Sequence, residues 1–222
     1  MINLSIAMGR EPQELSEFDG QWVHPSIVDK LINLKEASID AGFRLCIASG
    51  YRSFERQLKI WNEKAHGLRP VLDSKGQPID IQILEPKQLV FAILRWSALP
   101  GTSRHHWGTD VDVYDELPSL EGYQLQLTVE ETESGAVYGR FYQWLDSYLS
   151  RGATSFIRPY VADSGGLAPE PWHLSCAEVA QPFAELVTRS AIMDVLSEID
   201  IAHKEVVLEN FDEICDRFVS HL

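Results

Sequence analysis

The hydrophobic period of this chain changes at Gly42. From Pro25 to Ala41, Ile27, Leu31 and Leu34 recur at helical spacing, and Gly42 follows as a C-terminal stop. Beyond it Phe43, Leu45 and Ile47 alternate with Arg44, Cys46 and Ala48, the two-residue period of a strand that delivers its end to Ser49-Gly50-Tyr51-Arg52. A helical stripe that runs directly into a short alternating strand requires a mixed fold, and the rest of the chain continues in kind. Ser53 caps a helix through about Lys64, with Leu58 and Trp61 on one face. Pro86 opens another helix, whose stripe is Leu89, Val90, Ile93 and Leu94. Thr109 to Tyr114 alternates as a strand, Phe141 to Leu149 reads as a helix and Phe156 to Tyr160 as a strand. Residues 66–84, 116–138 and the segment "DSGGLAPEP" read as loops. From about Cys176 the pattern is helical to the end, and Val207, Phe211, Ile214, Cys215, Phe218 and Leu222 share one face of a last helix. The expected architecture is α+β: a small antiparallel sheet flanked by helices, with a body over 1–189 and a C-terminal helical extension over 190–222 packed on it. The apolar stripe of the last helix either packs on that body or pairs with a copy of itself in an oligomer.

Charge narrows the partners. Nineteen Lys and Arg stand against 33 Asp and Glu, a formal charge of −14, and such a field repels polyanions, so no nucleic-acid partner is expected. Cys46, Cys176 and Cys215 are odd in number and far apart, which reads as reduced, mostly buried thiols rather than a disulfide framework. The N-terminal segment carries no basic leader with an apolar run, and no stretch of about 18 apolar residues offers a membrane span. As written, the sequence leads to the expectation of a soluble cytoplasmic chain.

The segment Ser103 to Asp112, "SRHHWGTDVD", gathers two histidines and two aspartates around one glycine in a chain with seven histidines. A zinc hydrolase needs three protein ligands from His, Asp, Glu or Cys and an open position for water. His105 and Asp112 lie seven residues apart, so one continuous strand cannot present both on a face, but Gly108 lets the chain turn between them. A third ligand and a base must come from elsewhere. "EPWH", Glu170 to His173, supplies an imidazole and a carboxylate three residues apart with a stiffening Pro171 between them. The residues alone leave two readings open, a metal site divided between two segments or two polar loops.

Three blocks together resemble a known family. "SRHHWGTDVD" is similar to the Ser-x-His-x-x-Gly-x-x-x-Asp signature, "EPWH" to the Glu-x-Trp-His signature, and "SGYRSFERQ" (Ser49 to Gln57) to the third block of the VanY-like D-alanyl-D-alanine carboxypeptidases, a family of zinc peptidases. All three stand in family order. The resemblance implies one zinc per chain held by His105, Asp112 and His173, with Glu170 as general base. It also implies that Arg52, Gln57 and Ser103 hold the terminal carboxylate of a peptidoglycan-derived peptide; the planar donor fork of Arg52 suits bidentate capture of a carboxylate or stabilisation of developing oxyanion charge. The expected reaction is hydrolysis of the bond to a C-terminal D-alanine, D,D or L,D. A D,D-dipeptidase or endopeptidase on the same site, and a zinc-stabilised binding module without turnover, are the alternatives. Cell-wall chemistry points to a periplasmic or cell-wall location if a leader has been trimmed.

Asp110 departs from family members that carry a small residue there. It reads as a partner of the ligands, an alternative ligand or a solvent-facing group. His106, next to His105, points the other way and so serves as support or surface. Cys176 would close a four-ligand structural site only against the habit of free cysteines to be buried hydrophobes. Trp107 and Trp172 read as cleft wall or core, and His24, His66, His203 and His221 have no partner cluster. No His-Glu-x-x-His, Gly-x-Ser-x-Gly, phosphate-loop or dinucleotide fingerprint is present.

Overall fold

A computed structural model describes residues 2–152, 154–163 and 165–219. The chain opens with a single helical turn, α1 (Leu4–Ala7), and a ribbon of β1 (Ser16–Phe18) and β2 (Gln21–Val23). The expected helix at Pro25 begins as a 3-10 turn and continues as α2 (Val28–Asp40); β3 (Leu45–Ser49) and α3 (Phe54–Ala65) follow. The Ser53 hydroxyl accepts from the Arg56 N–H, the cap expected from the sequence. After a loop come α4 (Pro86–Trp96) and β4 (Asp110–Asp115). The acidic stretch 116–138 holds two short turns, α5 (Leu117–Leu120) and α6 (Val129–Thr132), before α7 (Gly139–Ser150). Buried Glu131 pins that stretch by accepting from the N–H groups of Gln126 and Thr128.

The strand expected over Phe156 to Tyr160 is shorter, β5 (Phe156–Ile157). Pro159 has no N–H to extend the ladder. Next are β6 (His173–Cys176), α8 (Ala177–Ala184), α9 (Arg189–Glu198), α10 (Lys204–Glu209) and α11 (Phe211–Ile214), with a π turn over Cys215–Val219. The one last helix expected from the apolar stripe is thus interrupted at Asn210, whose non-helical backbone separates α10 from α11. The stripe is nonetheless covered within the chain: Val207, Phe211, Ile214, Cys215 and Phe218 are buried in a core shared with α3 and α4. Leu222 and His221 lie outside the described residues.

The four-stranded sheet has the order β3-β4-β6-β5 and every pairing is antiparallel. One face presents Leu45, Ile47, Val111, Val113, Phe156, Leu174 and Cys176 to a core completed by Leu31 and Leu34 of α2 and Phe141 and Leu145 of α7. On the opposite face β4 and β6 present Asp110, Asp112, His173 and Ser175, all buried. The second apolar core, built from Trp61, Trp107, Val90, Ile93 and the C-terminal helices, closes the molecule beyond them. Trp61 Nε1 donates to the Ala202 carbonyl at 3.1 Å, fastening the C-terminal helices to α3.

Candidate active site

Strand pairing sets two of the expected ligands side by side. Asp112 and His173 are directly opposed in the β4–β6 ladder, and opposed residues of an antiparallel pair share a face. Asp112 Oδ1 lies 3.1 Å from His173 Nδ1. His105 arrives from a 3-10 turn, Arg104–Trp107, that ends at Gly108 with φ +68°. That left-handed conformation turns the chain into β4, and a Cβ there would stand 2.9 Å from the His24 backbone nitrogen, so only glycine fits. His105 Nε2 is 3.3 Å from Asp112 Oδ2.

Both imidazoles are oriented from behind. His105 Nδ1 donates to the Gly50 carbonyl at 2.9 Å, which leaves Nε2 facing Asp112. Gly50 itself is packed against β2, where a Cβ would lie 2.5 Å from the Trp22 carbonyl oxygen. His173 Nε2 donates to Asp110 Oδ2 at 3.0 Å, leaving Nδ1 toward Asp112. One ligand atom from each of His105, Asp112 and His173 can be chosen so that all lie within 4.8 Å of one another, and all three residues are buried. The donor set, two nitrogens and one carboxylate oxygen in a buried group, fits a zinc ion.

Asp110 is therefore neither solvent-facing nor placed among the three grouped ligand atoms. It is fully buried and accepts from Arg104 Nε at 2.6 Å, Ser175 Oγ at 2.9 Å and Thr109 Oγ1 at 2.9 Å, besides His173. Arg104 also donates to Ser175 and lies over the Trp107 ring. Burial alone would raise the Asp110 pKa, but His173 and Arg104 hold it below the ordinary carboxylate value. For Asp112 burial likewise opposes ionisation, and His105 and His173 overcome it. His173 is the mirror image: burial would lower its pKa, yet the two aspartates hold it up at about 10.

Glu170 reaches the same group from a turn closed by the His173 N–H to Glu170 carbonyl hydrogen bond of 3.0 Å. Its Oε2 lies 3.6 Å from His173 Nδ1. Burial pushes its pKa up to about 7 despite the nearby cationic groups. Such a carboxyl exchanges its proton near neutral pH.

Arg52 stands at the end of β3. A bulge pairs Ile47 with Val113 and Ser49 with Asp112, bringing Ser49 to the polar face. Arg52 Nη2 donates to Ser49 Oγ at 3.2 Å and Nη1 to Gln57 Oε1 at 2.9 Å. An open cleft is lined by Arg52, Ser103, His105, Asp112, Glu170 and His173, with Tyr160 and Trp172 on its walls. Gln57 is not in that lining. It is fully buried, with its carbonyl toward Arg52 and its amide nitrogen donating to the Ala98 carbonyl at 2.7 Å.

His106 is fully buried, and its ring lies against the Arg52 carbonyl (2.6 Å) and the Gly101 N–H (3.2 Å). Burial lowers its pKa to about 3, so it works as a neutral brace. Trp107 belongs to the core, its Nε1 bonded to the Ala7 carbonyl, whereas Trp172 lines the cleft as well. Cys176 belongs to the apolar core on the opposite face of the sheet from His173, away from the metal group. All three cysteines are free. Arg104, Ser175, Tyr160 and Lys64 were not singled out from the sequence. Ser175 carried a signal, since it stands two residues beyond His173 and so on the same face of a strand; the others carried none without the fold.

A buried His-Asp-His group beside a carboxyl of raised pKa and a cleft-lining guanidinium is able to support metal-assisted hydrolysis. The D-alanyl-D-alanine carboxypeptidase (VanY) family matches residues 20–178, and the chain belongs to that family. An Enterococcus faecalis D-alanyl-D-alanine carboxypeptidase is 29% identical over 166 residues, covering 73% of this chain and 50% of that one. A Haemophilus influenzae protein of unassigned function is 47% identical over 66 residues, 30% of this chain and 45% of its own. The chain thus spans about half the length of these two relatives. Among solved structures, VanYB in complex with D-alanine-D-alanine aligns with a TM-score of 0.54 at 23% identity, covering 86% of this chain and 92% of that one. The vancomycin-resistance D,D-pentapeptidase VanY, solved with Zn(II), aligns at 0.50 and 24% identity over 79% and 89% of the two chains. These likenesses establish the fold. Among the described residues no helix is long and apolar enough to cross a membrane.

Proposed function

We propose that this protein is a zinc-dependent carboxypeptidase that removes a C-terminal D-alanine, D,D or L,D linked, from peptidoglycan-type peptides, with its catalytic body in residues 1–189 and a helical extension over 190–222. Family membership supports the reaction class. The observation that carries the reading is Glu170, a partly buried carboxyl with its pKa raised to about 7, standing 3.6 Å from His173 of a buried His-Asp-His group in a cleft that also holds Arg52.

In this reading His105 Nε2, an Asp112 oxygen and His173 Nδ1 would hold one zinc. There it would supply a water whose pKa falls toward about 7 and a polarised peptide carbonyl. Glu170 takes the water proton and returns it to the leaving amine. Arg52 and Ser103 orient the substrate by its terminal carboxylate, and Arg52 offsets developing oxyanion charge. Gln57 acts through Arg52, holding the guanidinium in place with Ser49.

Elemental analysis and mass spectrometry test the reading together. The zinc-loaded protein is expected to carry one zinc per chain, to lose it on Asp112→Ala or His173→Ala, and to shorten a peptide acid ending in D-alanine by one residue while sparing the C-terminal amide. Folded variants that keep stoichiometric zinc would refute the ligand set. Equal cleavage of acid and amide would turn the reading toward an endopeptidase, release of a dipeptide toward a D,D-dipeptidase, and zinc binding without any cleavage toward a binding module.

A further inference from the structure

Lys64 lines the same cleft as Arg52 and Glu170 and has no part in the chemistry above. It stands seven residues after Gln57 on α3, two helical turns along the same face. The two residues grip neighbouring points of the chain: Gln57 donates to the Ala98 carbonyl and Lys64 Nζ to Ser97 Oγ at 2.7 Å. Ser97 is the single hydrogen-bond partner of that ammonium, and among the described residues no carboxylate lies within ion-pair distance of it. An ammonium has three donors. Two therefore remain for the cleft.

A partly buried cation without a counter-ion is costly to keep charged. Consistent with that, burial first, then Arg69 and Arg52, lower the Lys64 pKa to about 8, with Glu170 as the opposing influence. Its neighbour Arg52 has one donor of each terminal nitrogen occupied, by Gln57 and Ser49. The cleft lining thus holds, with Ser103, two cations whose remaining donors have no partner among the described residues.

We infer that Lys64 is a carboxylate-binding residue of the substrate cleft, a second cation beside Arg52 for a peptide that brings an anion to this wall. The inference rests on the carboxypeptidase reading. Two sources share the chemistry, the terminal carboxylate itself and a side-chain carboxylate on the residue before the cleaved bond, and the substrates separate them.

The test uses the zinc-loaded protein and its Lys64→Met, Lys64→Gln and Lys64→Arg variants with four peptides. These have a terminal acid or amide, each with or without a side-chain carboxylate before the cleaved bond. Zinc content and thermal midpoint equal to the parent's establish that each variant is folded; Lys64→Gln, which retains a donor for Ser97, stands in if Lys64→Met is not. Loss of one charge-assisted contact is expected to lower kcat/KM about tenfold or more, chiefly through KM, on peptides that carry the recognised carboxylate, with Lys64→Arg recovering part of it. A loss confined to acids identifies the terminal carboxylate, and one confined to acidic side chains identifies the second source. An equal loss on all four peptides, or none, overturns the inference while leaving the carboxypeptidase reading intact. If the parent does not distinguish acid from amide, both fall together.

Discussion

The two faces of β4 are built from opposite materials, and both are buried. Val111 and Val113 are fully buried in the apolar core with α2 and α7. Asp110 and Asp112, interleaved with them, are 0% and 6% exposed on the other face. Burial of the valines is favourable in itself, at about 25 cal/mol per Å² removed from water. Burial of the aspartates is not, and is tolerated because partners surround each carboxylate: Arg104, Ser175, Thr109 and His173 around Asp110, His105 and His173 around Asp112. One face therefore contributes stability through shape, while the other holds a prearranged charge pattern for chemistry.

Substitutions on or beside the polar face should change metal binding or turnover, which substitutions on the apolar face should leave alone. The largest effect is expected at its edge, where Glu170→Gln keeps zinc and the thermal midpoint but lowers kcat about 10²–10⁴-fold, read by peptide turnover beside elemental analysis. Removing Asp110 tests the next level. Asp110→Ala leaves the Arg104 guanidinium buried and unpaired and is expected to destabilise the fold by about 3–5 kcal/mol in denaturant unfolding. The milder Asp110→Asn should fold yet bind zinc about 10–100-fold more weakly, because the orienting carboxylate behind His173 is gone. Unchanged zinc affinity in that variant would reduce Asp110 to a partner of Arg104 alone.

The apolar face provides the contrast. Val113→Ala should cost about 1–3 kcal/mol of stability with zinc affinity unaltered, since it removes packing without touching a donor. The smallest effect is a slope. Glu170 works as a base only after losing its proton, so kcat/KM should rise as pH increases through an acid limb. Its raised pKa places that limb near 7 in the metal-free charge pattern, and a bound dication moves it lower by favouring the carboxylate. A limb inflecting well above 7 would show that another group titrates.

Much of this could be read in advance, for particular physical reasons. Side chains of β4 alternate because strand geometry has period two, and the helices at 54–65 and 86–96 announced themselves by apolar stripes and by Ser53 and Pro86 at their starts. Two of the three expected ligands, His105 and Asp112, are set by a turn at Gly108 and a strand at Asp112, both local features, whereas His173 joins them only through the β4–β6 register. The single last helix was not legible as three pieces, since an apolar stripe specifies a buried side and not the continuity of the backbone at Asn210.

By itself, then, the sequence indicated the kinds of element, which depend on neighbours within a few positions, while its ordered motifs, through their family resemblance, supplied the candidate ligands and acid. Tertiary structure decided the rest. The bulge at Ile47 to Ser49, the register that opposes Asp112 to His173, the carboxylate of Asp110 behind one imidazole and the Gly50 carbonyl behind the other depend on contacts between distant segments. Whether Gln57 faces a substrate or braces Arg52, and whether Lys64 meets solvent or a cleft, follow from how α3 lies against the Ser97–Ala98 segment. No local period encodes that packing, because it is set by which surfaces exclude water together.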